Sequence, residues 1–246
     1  MCSPLSAKAT TGKDCASKHA DDVQGTVVDP VNTATGNFNE SFEDITIPGR
    51  GPGIALTHAY NSLQAVQDGA VAPVDGPLGV GWTTSYDAHL SFAPAPSGVV
   101  TVHQETGAEL AMYPDTNGGF EAPPRAVATL KAVVANNVTT YEFMRCNTTT
   151  MVFSAPDASG TARLLSIADR NGNPTTLQYD GSGKLSTVTD AASRRIYFYW
   201  TGNHVTTVSD RPLPDAAARK VSFAYNDVAG NLTDYTDVGR RLSRAS

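Results

Sequence analysis

Apolar positions in the second half of the chain recur in short runs that end in aspartate at regular intervals. The strings LLSIAD, KLSTVTD, HVTTVSD and NLTDYTD end at Asp169, Asp190, Asp210 and Asp237, at spacings of 21, 20 and 27 residues. A period in this range is typical of repeat architectures, in which neighbouring units bury one another's apolar faces. We therefore predict a repeat array over this part of the chain.

Each interval also contains an aromatic segment with apolar side chains two positions apart, which is the spacing of one face of a β-strand. Turn residues follow at 180–183, 201–203 and 227–231. The predicted unit is strand, tight turn, strand, closed by an Asp side chain that accepts local backbone N–H bonds. The longest interval holds an extra loop at 211–219. The alignment places Leu177, Tyr197 and Phe223 in one column and Tyr179, Tyr199 and Tyr225 in the next.

The apolar positions just before each aspartate do not fit simple alternation. Leu185 and Val188 are three residues apart, so a regular strand would send them to opposite faces. Either a β-bulge restores the phase of the strand, or both faces of the sheet are covered.

The first half of the chain also predicts strands. The segment 37–47 mixes the two faces, which indicates a turn or bulge near Glu43 and Asp44. Hairpins are predicted with turns at Thr106–Gly107 and Asn136–Asn137. Helix signals are nearly absent, so the predicted fold class is all-β, with no helix longer than two or three turns.

Three segments carry a family resemblance. The string LQYDGSGKLSTVTD at 177–190 resembles the YD repeat of the rearrangement-hotspot (Rhs) and teneurin families. The segments 29–62 and 76–90 resemble the region that opens the shell in bacterial Rhs and polymorphic-toxin proteins. Trp200 and Asn226 depart from the repeat pattern, because they stand where the Asp of the Tyr-Asp pair is expected.

The resemblance implies antiparallel hairpin repeats that form part of a coiled β-sheet shell. It suggests three parts: a flexible tail at 1–24, an Rhs-type N-terminal β region at 25–125, and a YD-repeat hairpin array at 126–246. The tail has few large apolar side chains. No capping segment is evident at the C-terminal end, so we expect a piece of a longer protein or an unusually short member.

Composition narrows the function classes. The net charge of −6 and the lack of a basic run argue against a nucleic-acid surface. No apolar run approaches the roughly 20 residues of a membrane span. Three cysteines are too few for a disulfide framework; Cys2 and Cys15 either pair or stay free, and Cys146 is expected to be a buried thiol on a strand.

Candidate chemistry is sparse. The histidines lack zinc-ligand spacing, although His89 and His103 could be neighbours across a sheet. There is no phosphate-binding loop and no Gly-x-Ser-x-Gly motif. The repeat aspartates lack the short, Gly-rich period of calcium-binding repeats. We therefore predict no catalytic, cofactor-binding or metal site and no cofactor. The aromatic columns either pack in the core or stack on sugars.

The function implied by the resemblance is structural and non-enzymatic: part of a shell that encloses a C-terminal toxin for delivery to competitor cells. The implied partners are that toxin domain, the remaining YD repeats of the same protein and secretion-system components, with no nucleic acid and no membrane span. The implied location is secreted or extracellular. The alternative is an extracellular adhesin module that binds carbohydrate or a cell surface.

Overall fold

The computed structural model describes residues 31–32, 36–49, 51–65, 73, 75–124, 126–145, 149–227 and 230–236. The structure confirms the all-β prediction: 56% of the described residues lie in strands, and the paired strands are antiparallel. Within the described residues the one α-helix, α1, is the four-residue Ser62–Ala65. Three regions predicted from sequence lie outside them: the tail at 1–24, all three cysteines and Asp237.

Twenty strands follow one another along the described chain. In order they are β1 Val31–Asn32, β2 Asn37–Ile47, β3 Ile54–Asn61, β4 Asp75–Gly76, β5 Gly79–Val80, β6 Trp82–Thr84, β7 His89–Phe92, β8 Val100–His103, β9 Glu109–Pro114, β10 Phe120–Glu121, β11 Ala128–Ala135, β12 Val138–Arg145, β13 Thr149–Phe153, β14 Thr161–Asp169, β15 Pro174–Tyr179, β16 Leu185–Thr189, β17 Arg195–Thr201, β18 His204–Ser209, β19 Lys220–Ala224 and β20 Asp234–Thr236.

Strands β7 to β14 close into a barrel. Each pairs antiparallel with the next in sequence, and β14 returns to pair with β7 through Thr161 and Ser91. Alternate residues of β8, of the end of β13 and of the start of β14 are buried, in keeping with the two-residue period of a strand. The buried face includes Leu90, Val102, Met112, Phe143 and Phe153.

The repeat array extends from the barrel. The start of β14 pairs with β7, and its end pairs with β15 through Ser166 and Thr176. From there β15 to β20 form consecutive antiparallel hairpins. The predicted hairpin order after residue 100 is therefore confirmed within the described ranges.

A smaller sheet, in the order β1-β2-β3-β6, covers one face of the array. Phe42 of β2 contacts Tyr235 of β20, with ring centroids 5.7 Å apart. The bulge predicted near Asp44 is confirmed, because the pairing of β2 with β3 shifts between Glu43 and Ile45. Buried residues of both sheets belong to one apolar core.

The predicted turns are also present. Gly107 has a φ of 75°, and Asn136 and Asn137 have φ values of 53° and 62°. This left-handed backbone is what a tight hairpin turn requires. Hydrogen-bonded pairing continues past residue 125, since β10 pairs with β11 through Phe120 and Leu130. The three-part division of the chain stays a prediction.

Candidate functional site: the repeat hairpins and the cleft beside them

Four consecutive hairpin turns from residue 157 onward repeat one hydrogen-bonding pattern, which the Asp115 turn between β9 and β10 also shows. In each, the Asp N–H donates to the carbonyl four residues later, and the Asp Oδ1 accepts the N–H groups two and four residues later. The predicted capping role is thus confirmed for Asp169 and Asp190. Asp210 plays the same part for the longer loop, where its Oδ1 accepts the N–H of Arg219 at 2.8 Å. The turns begin at Asp157, Asp169, Asp180 and Asp190.

The third residue after each of these aspartates needs left-handed backbone. Three of the turns supply Gly160, Gly172 and Gly183, with φ between 77° and 81°. The fourth supplies Ser193, with a φ of 64°. Serine pays a steric cost in this conformation that glycine does not, so the fourth turn is the strained member of the series.

A bulge in three of the hairpins resolves the three-residue spacing. Gln178 pairs with Thr187 while Tyr179 pairs with Leu185, which leaves Ser186 as the extra residue. The same shift occurs between β17 and β18 and between β13 and β14. Because of the bulge, Leu185 and Val188 point into the same core, with 8% and 0% exposure.

The predicted aromatic columns are wrong by one residue in the middle repeat. Ile196 and Phe198 are buried, so Tyr197 and Tyr199 lie on the opposite face of β17. Phe198 takes the place that the alignment gave to Tyr197. The Tyr199 hydroxyl instead accepts the N–H of Leu213 at 2.7 Å and holds the extra loop.

Trp200 is the true equivalent of Tyr179 and Tyr225. These three side chains each donate to a backbone carbonyl of the preceding hairpin at 2.7 Å: Tyr179 to Leu164, Trp200 to Leu185 and Tyr225 to Val205. Desolvation by burial raises the pKa of the two tyrosine hydroxyls, so both stay neutral donors.

The residue just before each accepting carbonyl covers the ring that donates to it. The Arg163 guanidinium lies 5.8 Å from the Tyr179 ring centroid, and the Lys184 ammonium lies 5.6 Å from that of Trp200. His204 stacks on Tyr225 with centroids 4.6 Å apart. We call these three ring contacts, with their three hydrogen bonds, the inter-hairpin ladder. It fixes each hairpin against the one before it.

The small sheet and strand β4 contact the array through polar groups. Arg194 donates to the carbonyls of Ile47 and Pro48 and binds Asp190 through Nε at 2.8 Å. Burial alone would raise the pKa of Asp190, but the hydrogen bonds from Arg194 and the turn N–H groups hold it below its usual value. His204 Nε2 lies 3.0 Å from Asp75, which forms a second bridge.

His58 lies at the centre of this interface. Its ring and the Asp44 carboxyl are almost completely buried, with Nδ1 and Oδ2 2.8 Å apart. Ring centroids of Phe42, Trp82, Phe223 and Tyr235 surround it at 4.7 to 5.7 Å. Two of these rings belong to the array, so the histidine joins the two layers.

A cleft of about 240 Å³ opens between the array and the segment 77–89. Its apolar wall includes Tyr86, Leu185, Phe198 and Val205. Its polar groups are Asp87, His89, Arg163 and Lys184.

The cleft shifts the pKa values of three titratable groups towards the uncharged form. Desolvation raises the pKa of Asp87 to about 7, although the Thr83 hydroxyl donates to its carboxyl at 3.2 Å. Desolvation and the neighbouring His103 lower the pKa of His89 to about 4. Burial also raises the pKa of Tyr86 to about 12.

His89 and His103 are cross-strand neighbours, as the sequence suggested. They pair directly between β7 and β8, and their rings stack with centroids 4.2 Å apart. His103 also lies 3.0 Å from the Ser91 hydroxyl and 3.4 Å from the Glu109 carboxyl. No group of three or more His, Cys, Asp or Glu side chains in the described part of the chain could hold a metal ion.

Two family models match this chain. Residues 28–112 match a domain of unknown function, DUF6531, and residues 157–195 match the RHS Repeat. The second match covers the turns at Asp157, Asp169, Asp180 and Asp190. The chain therefore contains an RHS repeat and is similar to Rhs/YD-repeat proteins over these ranges. No curated protein gives a match to the chain.

The Rhs repeat therefore has a structural definition in this chain. It is a hairpin with an Asp-capped turn, a bulged strand and one member of the inter-hairpin ladder. All three segments that carried the resemblance in the sequence, 29–62, 76–90 and 177–190, lie within the matched ranges. Within the described residues no helix is long and apolar enough to cross a membrane.

Sequence reasoning missed the cleft and the polar groups that line it. Asp87 and Lys184 are 97 residues apart, and no motif links them. The signal that could have found part of the ladder is the position before each repeat Leu or Val, which carries Arg163, Lys184 or His204.

Proposed function

We propose that this chain is a structural part of an Rhs/YD-repeat shell that encloses a C-terminal toxin for delivery to competitor cells. The observation that carries the proposal is the inter-hairpin ladder. Each hairpin docks on the one before it through the same hydrogen bond and the same ring contact. A contact of this kind can be repeated along a sheet of any length.

Two further features support a shell. The bulges in three of the hairpins bend their strands and increase the local twist, which curves a long sheet. The small sheet β1-β2-β3-β6 covers one face of the array and is tied to it by His58 and Arg194, and His204 ties β4 to the array. The proposed partners are further YD repeats and a toxin domain of the same polypeptide, together with secretion-system components, and the proposed location is extracellular.

The test is to produce the complete gene product and examine it by electron microscopy and limited proteolysis. We expect a hollow particle, and we expect its C-terminal domain to resist protease until the repeat sheet is opened. A matched control carries Phe198→Ala, which weakens the repeat core. A gene product with no further repeats, or a C-terminal domain cleaved as fast in the intact protein as in the control, would overturn the proposal.

The adhesin alternative requires aromatic side chains of the repeats whose ring faces are free to stack on sugars. Arg163, Lys184 and His204 cover a ring face of Tyr179, Trp200 and Tyr225, so those faces are occupied within the protein. This favours the packing role over sugar stacking. A glycan array separates the two functions: a shell part gives no specific signal, whereas an adhesin binds a defined glycan.

A further inference from the structure

Three polar side chains form a relay on adjacent strands of the barrel. Ser91 is on β7, His103 on β8 and Glu109 on β9. The Ser91 Oγ lies 3.0 Å from His103 Nε2, and His103 Nδ1 lies 3.4 Å from Glu109 Oε1. The order of groups is hydroxyl, imidazole, carboxylate, which is the order that activates a serine nucleophile.

The imidazole is held in place from two directions. His89 stacks on it with an angle of 11° between the rings, and the His89 Nδ1 is fixed 2.9 Å from the Asp87 carbonyl oxygen. Glu109 faces the Nδ1 side, which assigns the proton to Nδ1 and leaves Nε2 free to accept from the Ser91 hydroxyl. The side chains of His103 and Glu109 are 22% and 27% exposed, so solvent and a small substrate reach them.

The cleft begins beside this relay. Thr161 is the cross-strand partner of Ser91, and both Thr161 and His89 line the cleft. The wall beyond them is apolar, and Arg163 adds a positive charge to the same space. A short apolar acyl chain fits these surroundings, with its carbonyl group near Ser91.

We propose that Ser91, His103 and Glu109 form a nucleophilic site for short-chain acyl esters. The Ser91 Oγ bonds to the carbonyl carbon and its proton passes to His103 Nε2. When the tetrahedral intermediate collapses, the carbon–oxygen bond to the alcohol breaks, and the alcohol leaves with the proton from His103. Water then hydrolyses the acyl-serine by the same transfer in reverse, which releases the carboxylic acid.

The geometry also sets the scale of the activity. Ser91 lies inside the sheet, paired with both Thr101 and Thr161, so its strand neighbours do not form an oxyanion hole of free N–H groups. General-base assistance alone contributes about 10²–10⁴-fold. The site is therefore a slow esterase or a site of stable acylation.

The experiment uses a fluorophosphonate probe on the 246-residue chain, with mass spectrometry to locate the label. Ser222 is the internal control, because it lies on β19 between Thr207 and Thr236, without a histidine partner across either strand. We expect Ser91 to react about 100-fold faster than Ser222, in line with general-base assistance. Ser91→Ala and His103→Gln should each abolish this label, and Ser222→Ala should leave it unchanged.

Glu109 is a positioning residue, and its test needs a second readout. Glu109→Gln should slow the labelling of Ser91 and change its pH dependence, and Glu109→Asp should restore part of the rate. Thermal unfolding of each variant separates loss of fold from loss of reactivity. Equal labelling of Ser91 and Ser222, or full labelling in the folded His103→Gln variant, would overturn the proposal. Neither outcome bears on the shell, which does not depend on Ser91.

Discussion

The repeat array and the small sheet β1-β2-β3-β6 satisfy their polar groups in different ways. In the array, each polar tip bonds to a partner at a fixed place in the preceding hairpin, as Trp200 does with Leu185. In the small sheet, His58 and Asp44 form one buried pair that has no counterpart in the repeats. Periodic contacts spread stability evenly over the array, whereas the small sheet concentrates it at one site.

The largest expected effect is at that site. Asp44→Ala leaves the buried His58 ring without its carboxylate, and removing one partner of a buried pair costs about 3–5 kcal/mol. The matched control is Asp180→Ala, which removes one exposed turn cap and should cost much less. Urea unfolding measures both. Equal costs would show that stability is no more concentrated in the small sheet than in the array.

The corrected register predicts the next effect. Phe198→Ala opens a cavity in the repeat core and should lower the free energy of unfolding by about 3–5 kcal/mol. Tyr197→Ala, on the opposite face of the same strand, should cost less than about 1 kcal/mol. A larger cost for Tyr197→Ala than for Phe198→Ala would favour the sequence alignment, which placed Tyr197 in the same column as Leu177 and Phe223.

The cleft between the array and the segment 77–89 predicts a pH dependence. The pKa of Asp87 is raised to about 7 in the folded protein, so the fold favours the neutral carboxyl, and this stability is lost as the pH rises from about 4 through 7. Asp87→Asn should therefore gain about 1–3 kcal/mol over the natural chain at pH 8, with little difference at pH 4.

His89 makes stability depend on pH in the opposite direction. Its pKa is lowered to about 4, so the neutral ring is favoured and this stability is lost as the pH falls from about 6.5 through 4. The Asp87→Asn comparison should be repeated in a protein that also carries His89→Gln. This second change removes the titration of the histidine and isolates the effect of the Asp87 carboxyl. A gain at pH 8 no larger than that at pH 4 would contradict the account of Asp87.

The smallest effect tests the regularity of the array. Ser193→Gly relieves the left-handed strain of the fourth turn and should stabilise the protein by about 1 kcal/mol. Gly172→Ser is the matched reverse change, because a Cβ at Gly172 meets no atom within 4 Å, and it should destabilise the protein. Thermal unfolding distinguishes the two; a destabilising Ser193→Gly would show that the serine side chain makes a contact that outweighs the strain.

The sequence predicted the periodic part of the fold best. Asp turns, hairpin order and the all-β class follow from local spacing, and residues a few positions apart decide them. The face of Tyr197 was mispredicted because the alignment matched tyrosine to tyrosine, although Trp200 performs the same hydrogen bonding. The sequence could not distinguish a bulge at Ser186 from a sheet that is covered on both faces, because both explain why Leu185 and Val188 are three residues apart.

The candidate site was outside the reach of such reasoning. Ser91, His103 and Glu109 come together only through the register of three strands, and no local motif marks them. Asp87 and Arg163 meet at the cleft because β14 pairs with β7 across the closed barrel. Contacts of this kind depend on tertiary pairing, which a single sequence does not reveal.

The double pairing of β14 has a consequence for how the protein folds. Its junction with β7 joins Ser91 to Thr161, 70 residues apart, whereas its junction with β15 joins residues within one hairpin. Closing a long loop costs more entropy and proceeds more slowly than zipping a neighbouring strand. We therefore expect closure of the barrel to be the slow kinetic event and the repeats to add rapidly afterwards, with β14 as their template.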